Sequence, residues 1–268
     1  MPHLSPQVAA GVALVLLLSA APAAAAGRTF TQWPEPPPPR PPTTPGLLEL
    51  GARVYRGACI QCHGEKGDGQ GKEAPNLQVP PRDFTTGTFL IRSTPLGSLP
   101  LDTDLFGSIR RGFRPEVGMP AFTFLSDTEV WAVIAHLKTF SPRWTSEQPQ
   151  APVELPPPPP RTPELVQQGQ VAFMSLGACF VCHGMAGQGD GPAAAGTAYT
   201  VGSHAGEKVP PANFTRPRNF KGGSRPQDVF RSLSTGLDGT PMPSFAQLTV
   251  EQRWALAYFV LSLGTPTP

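Results

Sequence analysis

Apolar residues recur at helical spacing in several stretches of the chain, and few stretches alternate with a period of two. Residues 47–57 and 165–176 carry apolar side chains three or four positions apart, which is the spacing of one helix face. Two later stretches begin with a capping-box pattern, Ser-x-x-Glu at Ser126 and Thr-x-x-Gln at Thr249, and apolar residues follow at the same spacing. The pattern predicts an all-α fold with few strands.

A different apolar pattern occupies the N-terminus, where residues 8–26 carry no charge. The apolar part is short for a membrane span, and Ala24 and Ala26 form a small-residue pattern suited to cleavage before Gly27. We therefore predict a signal peptide at residues 1–26 and export to the periplasm. No Lys or Arg precedes the apolar part, so an uncleaved N-terminal membrane anchor is the alternative.

Proline accounts for 36 of the 268 residues and clusters in two places, around residues 34–45 and 148–162. Such clusters favour extended polyproline II and indicate linkers. They divide the chain into a linker at 27–45, unit one at 46–145, a second linker at 146–162 and unit two at 163–268. The formal net charge of +2 gives no case for a nucleic-acid partner.

The two units repeat the same residue types in the same order, which indicates an internal duplication. The matches are a Gly and an aromatic four residues apart, a Pro-Pro-x-(Asp/Asn)-Phe-Thr run, a Met-Pro pair and a late Trp. They fall at Gly51, Tyr55, 80–85, Met119, Pro120 and Trp131 in unit one, and at Gly169, Phe173, 210–215, Met242, Pro243 and Trp254 in unit two. Unit two has about ten extra residues, which we expect in a loop around residues 196–209.

Each unit also carries one Cys-x-x-Cys-His segment, and the two segments use all four cysteines of the chain. This pattern is the attachment site of c-type haem. Two thiols at this spacing reach the vinyl groups of one porphyrin, and the adjacent His binds the iron. A zinc site shared by both Cys pairs would leave the histidines unexplained, and no βαβ pattern supports a thioredoxin-like motif. We predict two haem c groups, bound covalently by Cys59 and Cys62 and by Cys179 and Cys182, with His63 and His183 as iron ligands.

The second axial position of each iron has a candidate in the Met-Pro pair. Met119 is the single Met of unit one, and Met242 occupies the matching position of unit two. Proline after each Met fixes φ and would stiffen the loop. Met is a known haem ligand that raises the reduction potential, and it leaves no open iron face. Among other polar residues, Arg92 is our propionate candidate, while His136 is expected to pack in a helix crossing and His204 to lie in a solvated loop.

With these motifs in place, each unit resembles a class I c-type cytochrome domain, and the whole resembles dihaem cytochromes c with two such domains in tandem. The resemblance covers residues 46–142 and 163–263. It implies that the first helix of each unit crosses the last, with a Gly at the contact. The residues expected at these crossings are Gly51, Tyr55 and Trp131 in unit one, and Gly169, Phe173 and Trp254 in unit two.

The predicted function is that of an exported dihaem cytochrome c that passes single electrons between redox protein partners, with no small-molecule substrate. A haem enzyme, peroxidase-like or thiosulfate-oxidising, is one alternative. A cytochrome subunit of a membrane-bound oxidase, dehydrogenase or other respiratory complex is another. The enzyme alternative requires an exchangeable iron face, which the Met-Pro pair in both units disfavours.

Overall fold

The computed structural model describes residues 1, 37–113, 118–216, 220 and 222–264. Apart from Met1, the predicted signal peptide lies outside those residues, as does the first part of the first predicted linker. Within the described ranges, no helix combines the length and the apolar character needed to cross a bilayer.

The described residues form helices and loops, and two isolated β-bridges take the place of strands. This confirms the predicted all-α fold. Unit one contains α1 (Pro45–Ala58), α2 (Ile60–His63), α3 (Asp102–Arg111), α4 (Asp127–Leu137) and α5 (Arg143–Ser146), with 3-10 turns at Ala74–Asn76 and Lys138–Phe140. Unit two contains α6 (Pro163–Met174), α7 (Phe180–His183), α8 (Pro226–Thr235) and α9 (Val250–Ser262), with a 3-10 turn at Ala194–Gly196.

The predicted capping boxes are present at the starts of α4 and α9. The Glu129 backbone N–H donates to the Ser126 hydroxyl at 3.2 Å, and the Ser126 N–H donates to the Glu129 carboxylate at 2.8 Å. Thr249 and Gln252 form the same reciprocal pair in unit two. Each box satisfies two backbone groups at a helix start, where the helix itself supplies no partner.

Glycine permits the first and last helices of each unit to cross closely, as the resemblance implies. A side-chain carbon at Gly51 in α1 would collide with the Ala132 carbonyl oxygen in α4. One at Gly169 in α6 would collide with the Ala255 carbonyl oxygen in α9. Because only a residue without a side chain fits, these two positions set the helix contact in each unit.

Aromatic rings complete each crossing and connect it to the segment that carries the Cys-x-x-Cys-His motif. In unit one, Tyr55 lies edge-on to His136 with ring centroids 5.3 Å apart, which confirms the packing role predicted for His136. Phe173 and Phe259 are the equivalent pair, also at 5.3 Å. The Tyr55 hydroxyl donates to the Gly64 carbonyl at 2.8 Å, so the crossing helps to hold the chain directly after His63.

Candidate functional site

In unit one, α2 places two thiols and an imidazole on the wall of one cavity. The cavity has a volume of about 260 Å³ and is lined by Cys59, Cys62 and His63 among mostly apolar side chains. The backbone N–H of His63 donates to the Cys59 carbonyl at 2.9 Å, which keeps the segment in a single helical turn. Burial raises the pKa of Cys59 to about 12.

A backbone carbonyl orients the His63 ring. Nδ1 lies 3.0 Å from the carbonyl oxygen of Arg82, and because a carbonyl can only accept, Nδ1 carries the proton. Nε2 is then the nitrogen with a free lone pair, as a metal-binding histidine requires. Burial lowers the pKa of His63 to about 4, so the imidazole is neutral at pH 7.

Unit two builds the same arrangement from different residues. Cys179, Cys182 and His183 line a cavity of about 360 Å³. The His183 Nδ1 lies 3.1 Å from the Ala212 carbonyl oxygen, which again leaves Nε2 as the free nitrogen. Burial lowers the pKa of His183 as well, so both rings present a neutral donor atom to their cavities.

Each cavity also contains the methionine predicted for it. Met119 lines the unit-one cavity and Met242 lines the unit-two cavity. A hydrogen bond from the Phe113 N–H to the Met119 carbonyl, at 2.8 Å, joins the end of α3 to this loop. The Leu237 N–H donates to the Met242 carbonyl at 3.1 Å in the same way. The structure thus brings together in one cavity the His and Met that are far apart in sequence.

A phenylalanine that the sequence reasoning left without a role packs on each histidine. Phe84 stacks on the His63 ring at a centroid distance of 4.4 Å, and Phe214 stacks on His183 at 4.2 Å. Both belong to the repeated Pro-Pro-x-(Asp/Asn)-Phe-Thr run. That repeat was the available signal, since a run kept in both units beside the haem motif should contribute to the site.

The residues of each cavity fit a c-type haem better than the alternatives. An apolar cleft with two thiols, one neutral imidazole with a free Nε2 and one thioether matches the donor set of this cofactor. The two Cys pairs line separate cavities, so they cannot share one zinc ion. Within the described ranges, no group of three or more His, Cys, Asp or Glu side chains is arranged to hold a metal ion.

Comparison with known proteins agrees with this geometry. Residues 46–137 match the family model described as cytochrome C oxidase, cbb3-type, subunit III, and residues 166–264 match the model for cytochrome c. One solved chain, from the reducing HAO-like protein complex of Kuenenia stuttgartiensis, is 36% identical with a TM-score of 0.77, covering 84% of this chain and 98% of that one. No curated protein matches the chain.

The chain is a c-type cytochrome with two cytochrome c domains in tandem. The two domains imply haem c binding, and their number is consistent with two haems. Cytochrome c domains also indicate an electron-transfer role. One family match falls within unit one and the other within unit two.

In this cytochrome, Arg92 connects the two units rather than lining a cavity. The residue is 1% exposed, and Nη2 donates to the Thr235 carbonyl of unit two at 2.8 Å. Nε and Nη1 donate to the Pro95 and Phe89 carbonyls, and Asp238 of unit two lies 3.7 Å from Nε. The propionate contact stays a prediction that these contacts do not support, because the guanidinium is directed to the interface.

Arg82 is the arginine that does line the unit-one cavity of the cytochrome. Its guanidinium carbon lies 5.8 Å from the centre of the Tyr199 ring, which comes from unit two. The sequence offered one signal for this residue, the variable position in the repeated Pro-Pro-x-(Asp/Asn)-Phe-Thr run, where unit two has Ala212. No sequence pattern near Arg82 indicated that a residue of unit two would lie against it.

His204, expected in a solvated loop, lies against unit one of the cytochrome. Its side chain is 17% exposed, and Nε2 donates to the Pro81 carbonyl at 2.8 Å. The expectation of a solvated residue is therefore wrong, because the extra loop of unit two packs on the other unit. Among the described residues that line the two cavities, His204 does not appear.

Proposed function

We propose that the protein is an exported dihaem cytochrome c that carries single electrons between redox protein partners. Cys59 and Cys62 would hold one haem, and Cys179 and Cys182 the other. The iron ligands would be His63 with Met119, and His183 with Met242. Bound haem supplies an iron that cycles between the ferric and ferrous states, and the chain supplies its ligands, burial and position.

One observation carries this proposal. Each unit has its own cavity, and that cavity is lined by the paired cysteines, the histidine and the methionine of the unit. In each unit the histidine Nδ1 is hydrogen-bonded to a backbone carbonyl. A single such cavity would suit many haem proteins. Two cavities with the same donor set favour two sites of the same kind, which suits a carrier better than an enzyme with one specialised open site.

The proposed methionine ligands favour electron transfer over catalysis. A thioether is a soft, neutral ligand, and it favours ferrous iron and raises the reduction potential. If a His and a Met both bound each iron, no coordination position would remain for peroxide or another small substrate. The backbone hydrogen bond from the Phe113 N–H to the Met119 carbonyl, at 2.8 Å, and its counterpart in unit two stiffen the two loops. This stiffness supports a Met that would stay bound to the iron in both the ferric and the ferrous state.

A turnover assay tests the carrier role against the enzyme alternative. We expect the purified holoprotein to accept one electron per haem from a chemical reductant and to return it to an oxidant. We expect no sustained consumption of peroxide or thiosulfate. Sustained turnover of either substrate would contradict the carrier role if it is lost or enhanced in Met119→Leu or Met242→Leu variants. Such a result would indicate an enzymatic role instead.

Export is supported by the uncharged apolar stretch at residues 8–26 and by the small residues Ala24 and Ala26. Mass spectrometry of the protein isolated from its native host tests it. A mature chain that begins at Gly27 supports a periplasmic form without the segment. An intact N-terminus in the membrane fraction supports the anchored alternative.

The partners are proposed to be other redox proteins. The solved relative is a chain of a reducing HAO-like protein complex, and unit one matches a family model for an oxidase subunit. These likenesses favour a cytochrome that works beside a larger redox assembly, and a membrane-bound respiratory complex is the specific alternative. Affinity purification of the tagged holoprotein under mild conditions, with haem staining of the co-purified bands, tests which assembly it joins.

A further inference from the structure

The extra loop of unit two reaches both cavities. Thr197 and Val209, at the two ends of the loop, line the unit-two cavity. Tyr199, only two residues into the loop, lines the unit-one cavity and is 7% exposed. We name residues 197–209 the cap segment, because it leaves one unit and closes over the other.

Backbone pairing gives the cap segment a fixed shape. Ala198 and Lys208 form an isolated antiparallel β-bridge. The Tyr199 N–H donates to the Glu207 carbonyl at 2.9 Å, and the Gly206 N–H donates to the Tyr199 carbonyl at 2.9 Å. Tyr199 is therefore held at both its backbone groups, which gives its ring a defined position over unit one.

Polar contacts fasten the tip of the cap segment to the chain that follows His63. The Ser203 N–H donates to the Asp83 carboxylate at 2.9 Å, and the Ser203 hydroxyl donates to the Asp68 carbonyl at 2.7 Å. His204 adds its bond to the Pro81 carbonyl. Asp83 and Pro81 flank Arg82, so these hydrogen bonds fix the loop whose Arg82 carbonyl orients the His63 ring.

The cap segment encloses a cation beside the unit-one cavity. Arg82 lies under the Tyr199 ring, and it is the one lining residue with a full charge among those that the structure describes. A guanidinium keeps its proton in proteins, so Arg82 is charged at pH 7. The described lining of the unit-two cavity contains no Lys, Arg, Asp or Glu, and Ala212 stands where Arg82 would be.

We propose that the cap segment, through Tyr199, shields Arg82 and the unit-one cavity from water and thereby raises the reduction potential of the unit-one haem. Ferric haem carries one more positive charge than ferrous haem. A nearby cation therefore opposes oxidation, and it does so more strongly where water is excluded. Tyr199 and Arg82 act as positioning residues, and unit two completes the haem site of unit one. This inference rests on the proposed haem ligands.

Redox titration of matched full-length variants tests the proposal. Replacing Met242 by His lowers the potential of the unit-two haem, since bis-His ligation lacks the thioether, and the unit-one wave is then read separately. In this background we expect Tyr199→Ala and Arg82→Gln each to lower the unit-one potential. Tyr199→Phe, which keeps the ring, should retain it.

Two control variants separate the cap from general effects. Thr200 is the exposed neighbour of Tyr199, and Arg53 is an exposed arginine of the same unit with a side chain 54% exposed. Thr200→Ala and Arg53→Gln should leave the unit-one potential where it is. If Tyr199→Ala does not accumulate as holoprotein, Arg82→Gln with its Arg53 control decides the question.

An unmoved unit-one wave in Arg82→Gln would overturn the proposal. Equal shifts in the reduction potentials of both haems would also overturn it, if they occur both with and without the Met242→His change. Such shifts would indicate a general loosening of the fold. Haem content by the pyridine haemochrome assay is measured first. Fewer than two haems per chain would refute the proposed function, whereas two normal haems with an unmoved wave would refute the cap alone.

Discussion

The two cavities have the same donor residues but different surroundings. Each has two thiols, a histidine with its Nδ1 on a backbone carbonyl, a stacked phenylalanine and a methionine. Among the residues that the structure describes, only the unit-one cavity is lined by an arginine and by a ring supplied by the other unit. Duplication thus explains the chemistry common to both sites, whereas a loop present in one copy explains why their electrostatics differ.

The largest effect that tests this comparison is loss of one haem at a time. Cys59→Ala with Cys62→Ala should remove the covalent haem of unit one, and Cys179→Ala with Cys182→Ala that of unit two. Intact mass and the pyridine haemochrome assay should show one haem fewer in each case. If either double variant loses both haems, or neither, the two sites are not independent attachment sites.

Next in size is the effect of removing a proposed thioether ligand. Met119→Ala should lower the potential of the unit-one haem and open its iron to cyanide, because the soft axial ligand is lost. Met242→Ala should do the same in unit two. Cyanide titration followed in the visible spectrum checks both. A variant with the wild-type potential and no cyanide binding would remove that methionine as a ligand.

A matched pair in α1 tests the helix crossing that both units share. Gly51→Ala should lower the free energy of unfolding by about 3 kcal/mol, because its side chain meets the Ala132 carbonyl. A methyl group added at Gly57, in the same helix, would have no neighbouring atom within 4 Å, so Gly57→Ala should be neutral or stabilising by up to about 1 kcal/mol. Denaturant unfolding of the holoproteins measures both, and equal effects would contradict the crossing.

A smaller effect is expected where the units meet. Arg92→Met removes charged hydrogen bonds to the Phe89, Pro95 and Thr235 carbonyls, and should cost roughly 2 kcal/mol. It should also separate the unfolding of the two units in a denaturant titration. Arg53→Met, at an exposed site, is the control. An Arg92 variant that unfolds like this control would show that the interface contributes little.

The sequence predicted the features that depend on local patterns. The capping boxes at Ser126 and Thr249 and the presence of each methionine in the same cavity as its histidine follow from short motifs repeated in order. The helix crossings were expected from the resemblance to class I cytochromes c. Contacts between the units were not predictable in this way. Arg92 reaches a carbonyl 143 residues away, and the cap segment looks like any polar loop until its packing on unit one is seen.

The central claim is that both irons are closed by a histidine and a methionine, and electron paramagnetic resonance of the fully oxidised holoprotein tests it most directly. His/Met ligation predicts low-spin ferric signals that account for all of the iron, with no rapid change when cyanide is added. A high-spin signal from either haem, or fast cyanide binding at one of them, would contradict the account.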